Sequence, residues 1–131
     1  MSEAVHLLDC EGLSQTVRGA SAMKGRLKTA QPAGVRVTTT STTLIEAHDV
    51  RTYVPARHGA PSRVHVEQVT EEVAKEAVGL LKDAGLHGHE YAGDAALAAV
   101  ALRQPGPVTV FASDEDALRR LRGDRVVVMG L

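Results

Sequence analysis

The chain has 131 residues, a formal net charge of −1, one cysteine, one phenylalanine, two tyrosines and no tryptophan. That length suits a single domain, 1–131, with one core built from aliphatic side chains. The near-neutral charge excludes nucleic-acid binding through bulk charge, though not through a local basic patch, and the lone Cys10 excludes a disulfide framework or a thiolate zinc site. The start lacks a basic-then-apolar signal pattern and no apolar run can span a bilayer, so a cytoplasmic protein without membrane association is expected.

Val5–Leu8 reads as a first strand that delivers Asp9 at its C-terminal end. Residues 12–30 read as one helix, basic through Arg18, Lys24, Arg26 and Lys28, and closed by Gly34. Val35–Thr38 is a second strand. The Thr-rich run to Thr43 then caps a helix that carries Glu46 in its first turns. From His48 to Arg63, Pro55, Gly59 and Pro61 allow only a short helix and a loop. Val64–Val66 is a third strand. Thr70 caps a helix with Glu71 and Glu72 in its first turn and an apolar stripe of Val73, Ala77, Leu80, Leu81 and Ala84, and Gly85 ends it.

The stretch from Leu86 to Leu102, LHGHEYAGDAALAAVAL, is the least ordinary. Its Ala, Leu and Val run has no polar face, which predicts a helix buried on most sides. Asp94 stands at the start of that run, where a carboxylate is costly unless something positive offsets it. The helix N-terminus offsets part. The closest basic residues in sequence are Lys82 and Arg103, so the remainder falls to a cation or a distant side chain. Val108–Phe111 is a fourth strand ending at Ser113–Asp116, followed by a short helix, 117–122, and a final strand, 125–129.

Strands alternating with helices predict an α/β protein: a three-layer α/β/α sandwich on a mostly parallel sheet of roughly five strands. Functional sites in such sheets lie beyond the carboxyl ends of the strands. Asp9, Glu46, Asp114 and Asp116 all follow strands, and Asp94 begins a helix able to reach the same edge. Carboxylates gathered together repel one another and call for a cation. An all-oxygen ligand set suits Mg²⁺ or Mn²⁺. Such ions activate water for attack on phosphorus, so the implied chemistry is phosphodiester hydrolysis. Taken singly, each acid is more often a helix cap or a solvated loop residue; Asp94 and Asp9 are the hardest to dismiss in that way, and Glu11 and Asp116 the easiest.

Four segments in order, LLDCEGL around Asp9, TLIEA around Glu46, YAGDAALAAVAL around Asp94 and VFASDEDAL around Asp114 and Asp116, resemble the PIN domain, particularly the VapC-like toxin ribonucleases of bacteria. The resemblance covers nearly the whole chain. It implies a metal-dependent endoribonuclease that acts on RNA, a homodimer, and a small antitoxin protein that holds it inactive. By position it implies that Asp9, Glu46, Asp94 and Asp114 bind metal, with Asp116 as an auxiliary ligand. Ser113 corresponds to part of the family's Thr/Ser-x-Asp corner, where it orients a carboxylate or a water. Two features depart from the pattern: Ala112 stands where Thr or Ser is common, and the Pro- and Gly-broken segment from Val50 to Arg63 replaces a longer helix.

Other signals are weaker. His87 and His89 lack further zinc ligands nearby and read as inert loop residues. Cys10 reads as a small buried residue rather than a nucleophile. Arg18, Lys24, Arg26 and Lys28, with Arg119, Arg120 and Arg122, are candidates for RNA phosphate or simply solvated helix faces. Stacking platforms are limited to Tyr53 and Tyr91, so RNA recognition through backbone, shape and metal is expected. A phosphorelay receiver needs a late Lys, and none follows Lys82. A haloacid-dehalogenase-like phosphatase needs an Asp where Glu11 stands. The rival from a different class is a non-catalytic PIN-like protein that binds RNA or a partner.

Overall fold

The computed structural model describes residues 4–19, 21–30, 33–48, 64–122 and 126–131. The expected helix and loop after His48, Tyr53 among them, and Arg125 of the last predicted strand lie outside these residues. In chain order the elements are β1 (Val5–Leu8), α1 (Cys10–Arg18), α2 (Ser21–Ala30), β2 (Arg36–Thr40), α3 (Ser41–Glu46), β3 (His65–Glu67), α4 (Glu71–Ala84), α5 (Gly88–Leu102), β4 (Val108–Ala112), α6 (Glu115–Arg122) and β5 (Val127–Gly130).

The five strands form one parallel sheet in the order β3-β2-β1-β4-β5. The central strand β1 pairs with β2 through Val5↔Arg36 and Leu7↔Thr38, and with β4 through Val5↔Val108 and Leu8↔Phe111. Because side chains alternate along a strand, this register puts Val5, Leu7, Val108, Val110, Ala112 and Val128 on one face. That face packs against α4, α5 and α6 in the larger core cluster. The other face carries Leu8, Val37 and Phe111, which pack with Leu13 of α1 and Met23 of α2. The result is the three-layer α/β/α sandwich on a five-stranded sheet expected from the sequence, and every strand pair among the described residues is parallel.

Helix α4 forms where its pattern predicts. Thr70 Oγ1 accepts a hydrogen bond from the Val73 N–H at 3.2 Å, and Val73, Ala77 and Leu81 are buried. Gly85 ends the helix with φ 68°, a left-handed conformation that glycine adopts without penalty. Helix α5 is buried without interruption from Ala95 to Ala101. Its alanines let it pack closely against the sheet, α4 and α6 at once.

Two local readings are corrected. Residues 12–30 are two helices, not one. Gly19, with φ 71°, turns the chain and its N–H bonds back to the carbonyls of Gln15 and Thr16, which closes α1. The helix that carries Asp94 starts earlier than expected, at Gly88, and contains a kink at Tyr91 (φ −117°, ψ 18°). Asp94 therefore lies in the first turn of the part that follows the kink.

Candidate functional site

All strands run the same way, so their carboxyl ends share one edge. Asp9 is the first acid delivered there. It caps α1: Oδ1 accepts the Gly12 N–H at 2.8 Å. Oδ2 accepts the Ser113 N–H at 2.8 Å and the Ser113 hydroxyl at 3.2 Å. These donors satisfy a carboxylate that is only 5% exposed. Ser113 thus bonds to Asp9 through both its N–H and its hydroxyl, with Ala112 preceding it. The Thr39 hydroxyl donates to the Leu8 carbonyl at 2.8 Å, tying the end of β2 to the last residue of β1, just before Asp9.

Glu46 arrives on α3, which Thr40 caps by accepting the Thr43 N–H at 3.0 Å. Glu46 is the last residue of that six-residue helix, and its carboxylate lies directly against Gly93 of α5. Asp94 is the next residue. Burial, then the charges of Asp114, Asp9 and Glu46, push its carboxyl from the ordinary 3.8 up to about 6. Among the described residues no basic side chain counters that rise. Asp114 is exposed and caps α6, its Oδ1 accepting the Ala117 N–H at 3.1 Å. Asp116 is exposed in the first turn of α6 and is not among the charges that act on Asp94. The structure therefore brings four of the five predicted acids into one electrostatic neighbourhood.

Other candidates are placed less centrally. Cys10 is exposed, contrary to the buried position expected. Partial burial of its thiol, then the charges of Asp9, Glu46, Asp94 and Glu11, raise its pKa, so it stays protonated and poorly nucleophilic. His87 precedes α5 without a side-chain cap bond, and His89 is exposed. Glu11 pairs with Arg18 at 3.2 Å. Arg26 lies over the Phe111 ring, 4.6 Å from its centroid, and Arg119 pairs with Glu115 at 3.1 Å. Arg120 donates to the Ala84 carbonyl at 2.9 Å. Several of the basic residues considered for phosphate thus serve the fold. Tyr91 is partly buried against the core. The sequence reading did not single out Gly93 as a site residue; its sequence signal is the one glycine after the Tyr91 kink, in a stretch that otherwise uses alanine for its small positions.

The charges that act on Asp94 are all carboxylates, a ligand type that fits a hard divalent ion, and such an ion would neutralise them. As the side chains stand, no three His, Cys, Asp or Glu among the described residues are grouped closely enough to hold one ion. Among those residues, too, no helix is long and apolar enough to cross a membrane.

No family model matches the sequence, and no curated protein matches it significantly. Among solved structures, the chain is similar to one in the crystal structure of VapBC2 from Rickettsia felis bound to a DNA fragment from their promoter. The TM-score is 0.72 at 12% sequence identity, over 97% of this chain and 98% of that chain. The fold is PIN-like. At this identity the likeness carries the fold alone, and chemistry has to be argued from the acids themselves. In the PIN-like frame, Asp9, Glu46, Asp94 and Asp114 occupy the carboxyl edge of the sheet, the place where an open parallel sheet builds its sites.

Proposed function

We propose that this chain is a Mg²⁺- or Mn²⁺-dependent endoribonuclease that hydrolyses RNA phosphodiester bonds. The observation that carries the reading is the crowding of Asp94, whose carboxyl is held up at about 6 by burial and by Asp114, Asp9 and Glu46. A fold keeps so strained a charge at a sheet edge most economically when a cation completes it. Asp9, Glu46, Asp94 and Asp114 would hold the ion, with Asp116 as the auxiliary acid. When bound, the ion activates water and stabilises charge developing on the phosphoryl oxygens. Ser113 fixes the direction of the Asp9 carboxylate through its N–H and hydroxyl. The burial behind Asp94, from Ala95 to Ala101, fixes the helix that carries it. In the cell the partners would be RNA, a second copy of the chain in a cytoplasmic homodimer, and a small antitoxin, by analogy with the toxin–antitoxin naming of the structural neighbour.

Thermal unfolding in EDTA, Mg²⁺ and Mn²⁺ tests this reading. An ion that binds only the folded state adds about 2.7 kcal/mol at a hundredfold excess over its dissociation constant. The wild type is expected to shift and Asp94→Asn is not, and RNA cleavage should be lost in the same variant. Equal cleavage by wild type and variant would trace the activity to a contaminant.

A second reading has an observation in its favour. Both oxygens of Asp9 are hydrogen-bonded and Asp114 is engaged as a helix cap, as in a site kept for structure. On that reading the chain binds RNA or a protein without cleaving. Its signature is binding indifferent to chelator, so a pull-down lost on adding EDTA counts against it.

A further inference from the structure

Helix α5 uses alanine wherever it needs a small residue, at 92, 95, 96, 98, 99 and 101, and glycine once within the stretch that follows the kink, at 93. Glycine in a helix interior is unfavourable relative to alanine, so it calls for a reason. Backbone conformation is not the reason: the glycines with positive φ are 19, 34 and 85, and Gly93 is helical. The helical Gly25 and Gly79 have open space where a Cβ would stand. Gly93 does not. A Cβ there would stand 2.7 Å from Cδ and 2.8 Å from Oε2 of Glu46, and closer still to Oε1. Real Cβ contacts are never that short, so any side chain at 93 must evict the carboxylate.

What yields is also clear from the structure. Glu46 is exposed and ends a short helix, so its carboxylate can swing away at little cost to the fold. The cost falls on the position of the charge. Gly93 adjoins Asp94 in sequence, and the space left by its missing Cβ holds Glu46 beside that acid.

We propose that Gly93 is a positioning residue for the acid site: by leaving room for the Glu46 carboxylate against helix α5, it sets the spacing of Glu46 and Asp94 for a shared divalent ion. This inference rests on the metal-site reading above and adds a residue that touches neither ion nor RNA.

The test is Mn²⁺ binding followed by electron paramagnetic resonance, alongside thermal unfolding in EDTA, for wild type, Gly93→Ala and Gly93→Ala/Glu46→Asp. The added methyl favours the helix, so the EDTA midpoint of Gly93→Ala should stay level or rise. Its Mn²⁺ affinity should fall by about ten- to a hundredfold, the usual effect of disturbing a group that orients a ligand. Aspartate is one methylene shorter and fits beside the new methyl, so the double variant should regain much of the lost affinity. A helix that was merely distorted would not be rescued in this way. Gly93→Ala binding within twofold of wild type overturns the inference alone, as does a loss the double variant leaves unrepaired. A wild type that takes up no Mn²⁺ overturns the metal-site reading and this inference with it.

Discussion

Helices α1 and α5 each deliver a carboxylate to the same edge of the sheet, and they hold it differently. At α1, Asp9 precedes the helix in extended conformation and receives the Gly12 N–H, the Ser113 N–H and the Ser113 hydroxyl. At α5, Asp94 lies inside the helix, half-buried and facing three other acids. The first carboxylate is stabilised by the fold and in turn stabilises it. The second is tolerated by the fold. A residue that costs the apoprotein stability is better explained by what binds there than by what it holds together.

This contrast predicts opposite mutational effects. The largest is expected at Asp9. Asp9→Ala removes a helix cap, about 1 kcal/mol, and leaves the Ser113 N–H without its partner, about 1–3 kcal/mol. A loss of about 3 kcal/mol in urea unfolding is expected, and a loss near zero would mean that the corner is held by something else.

The second effect has the opposite sign. A rise in pKa from 3.8 to about 6 corresponds to about 3 kcal/mol without screening. The Asp94 carboxyl is partly open to solvent, so Asp94→Asn should stabilise the metal-free protein by about 1–2 kcal/mol at pH 7. In excess Mn²⁺ that ranking should reverse, because the wild type alone gains from the ion. If Asp94→Asn destabilises the protein in EDTA, the two helices do not differ as described.

The pH profile sharpens the same point. Folded Asp94 keeps its proton to higher pH than the unfolded chain does, so its contribution is greatest below about pH 4 and is lost as pH rises to about 6. The difference between the EDTA stability curves of wild type and Asp94→Asn should therefore grow across that window and level off above it. A flat difference curve would place Asp94 in solvent.

The smallest effect is expected at Ser113. Ser113→Ala removes the longer of its two bonds to Asp9 and keeps the backbone one, for a loss of about 0.5–1 kcal/mol. A loss as large as that of Asp9→Ala would show that the hydroxyl, not the backbone, carries the corner.

Much of this arrangement is legible in the sequence because it rests on local chemistry. Thr70 and Gly85 bound α4 within one residue of the expected ends, and the apolar run after Asp94 gives the buried helix. That Asp9, Glu46 and Asp114 all lie beyond the carboxyl ends of strands follows from the alternation of strands and helices. What the sequence hid was either non-local or ambiguous. Gly19 sits among helix-compatible residues, and only its left-handed backbone reveals that it separates α1 from α2. Cys10 adjoins a buried strand and an almost fully buried Asp9, yet the first turn of α1 carries it outward. The strand order places β1 between β2 and β4, which no local pattern encodes. The approach of Glu46 to Gly93 joins residues from separate elements, and it becomes visible only once α3 and α5 are packed.

The central place of β1 bears on when this site comes into being. Its second neighbour in the sheet, β4, lies near the far end of the chain, and Asp9 bonds to a residue 104 positions later. Contacts of such long range close late, after the intervening loops have been ordered. On the ribosome, where a domain emerges from its N-terminus onward, Asp9 and Glu46 are made well before Asp94 and Asp114. The growing chain therefore carries an incomplete acid edge until the segment that bears Asp94 and Asp114 has followed the one that bears Asp9 and Glu46.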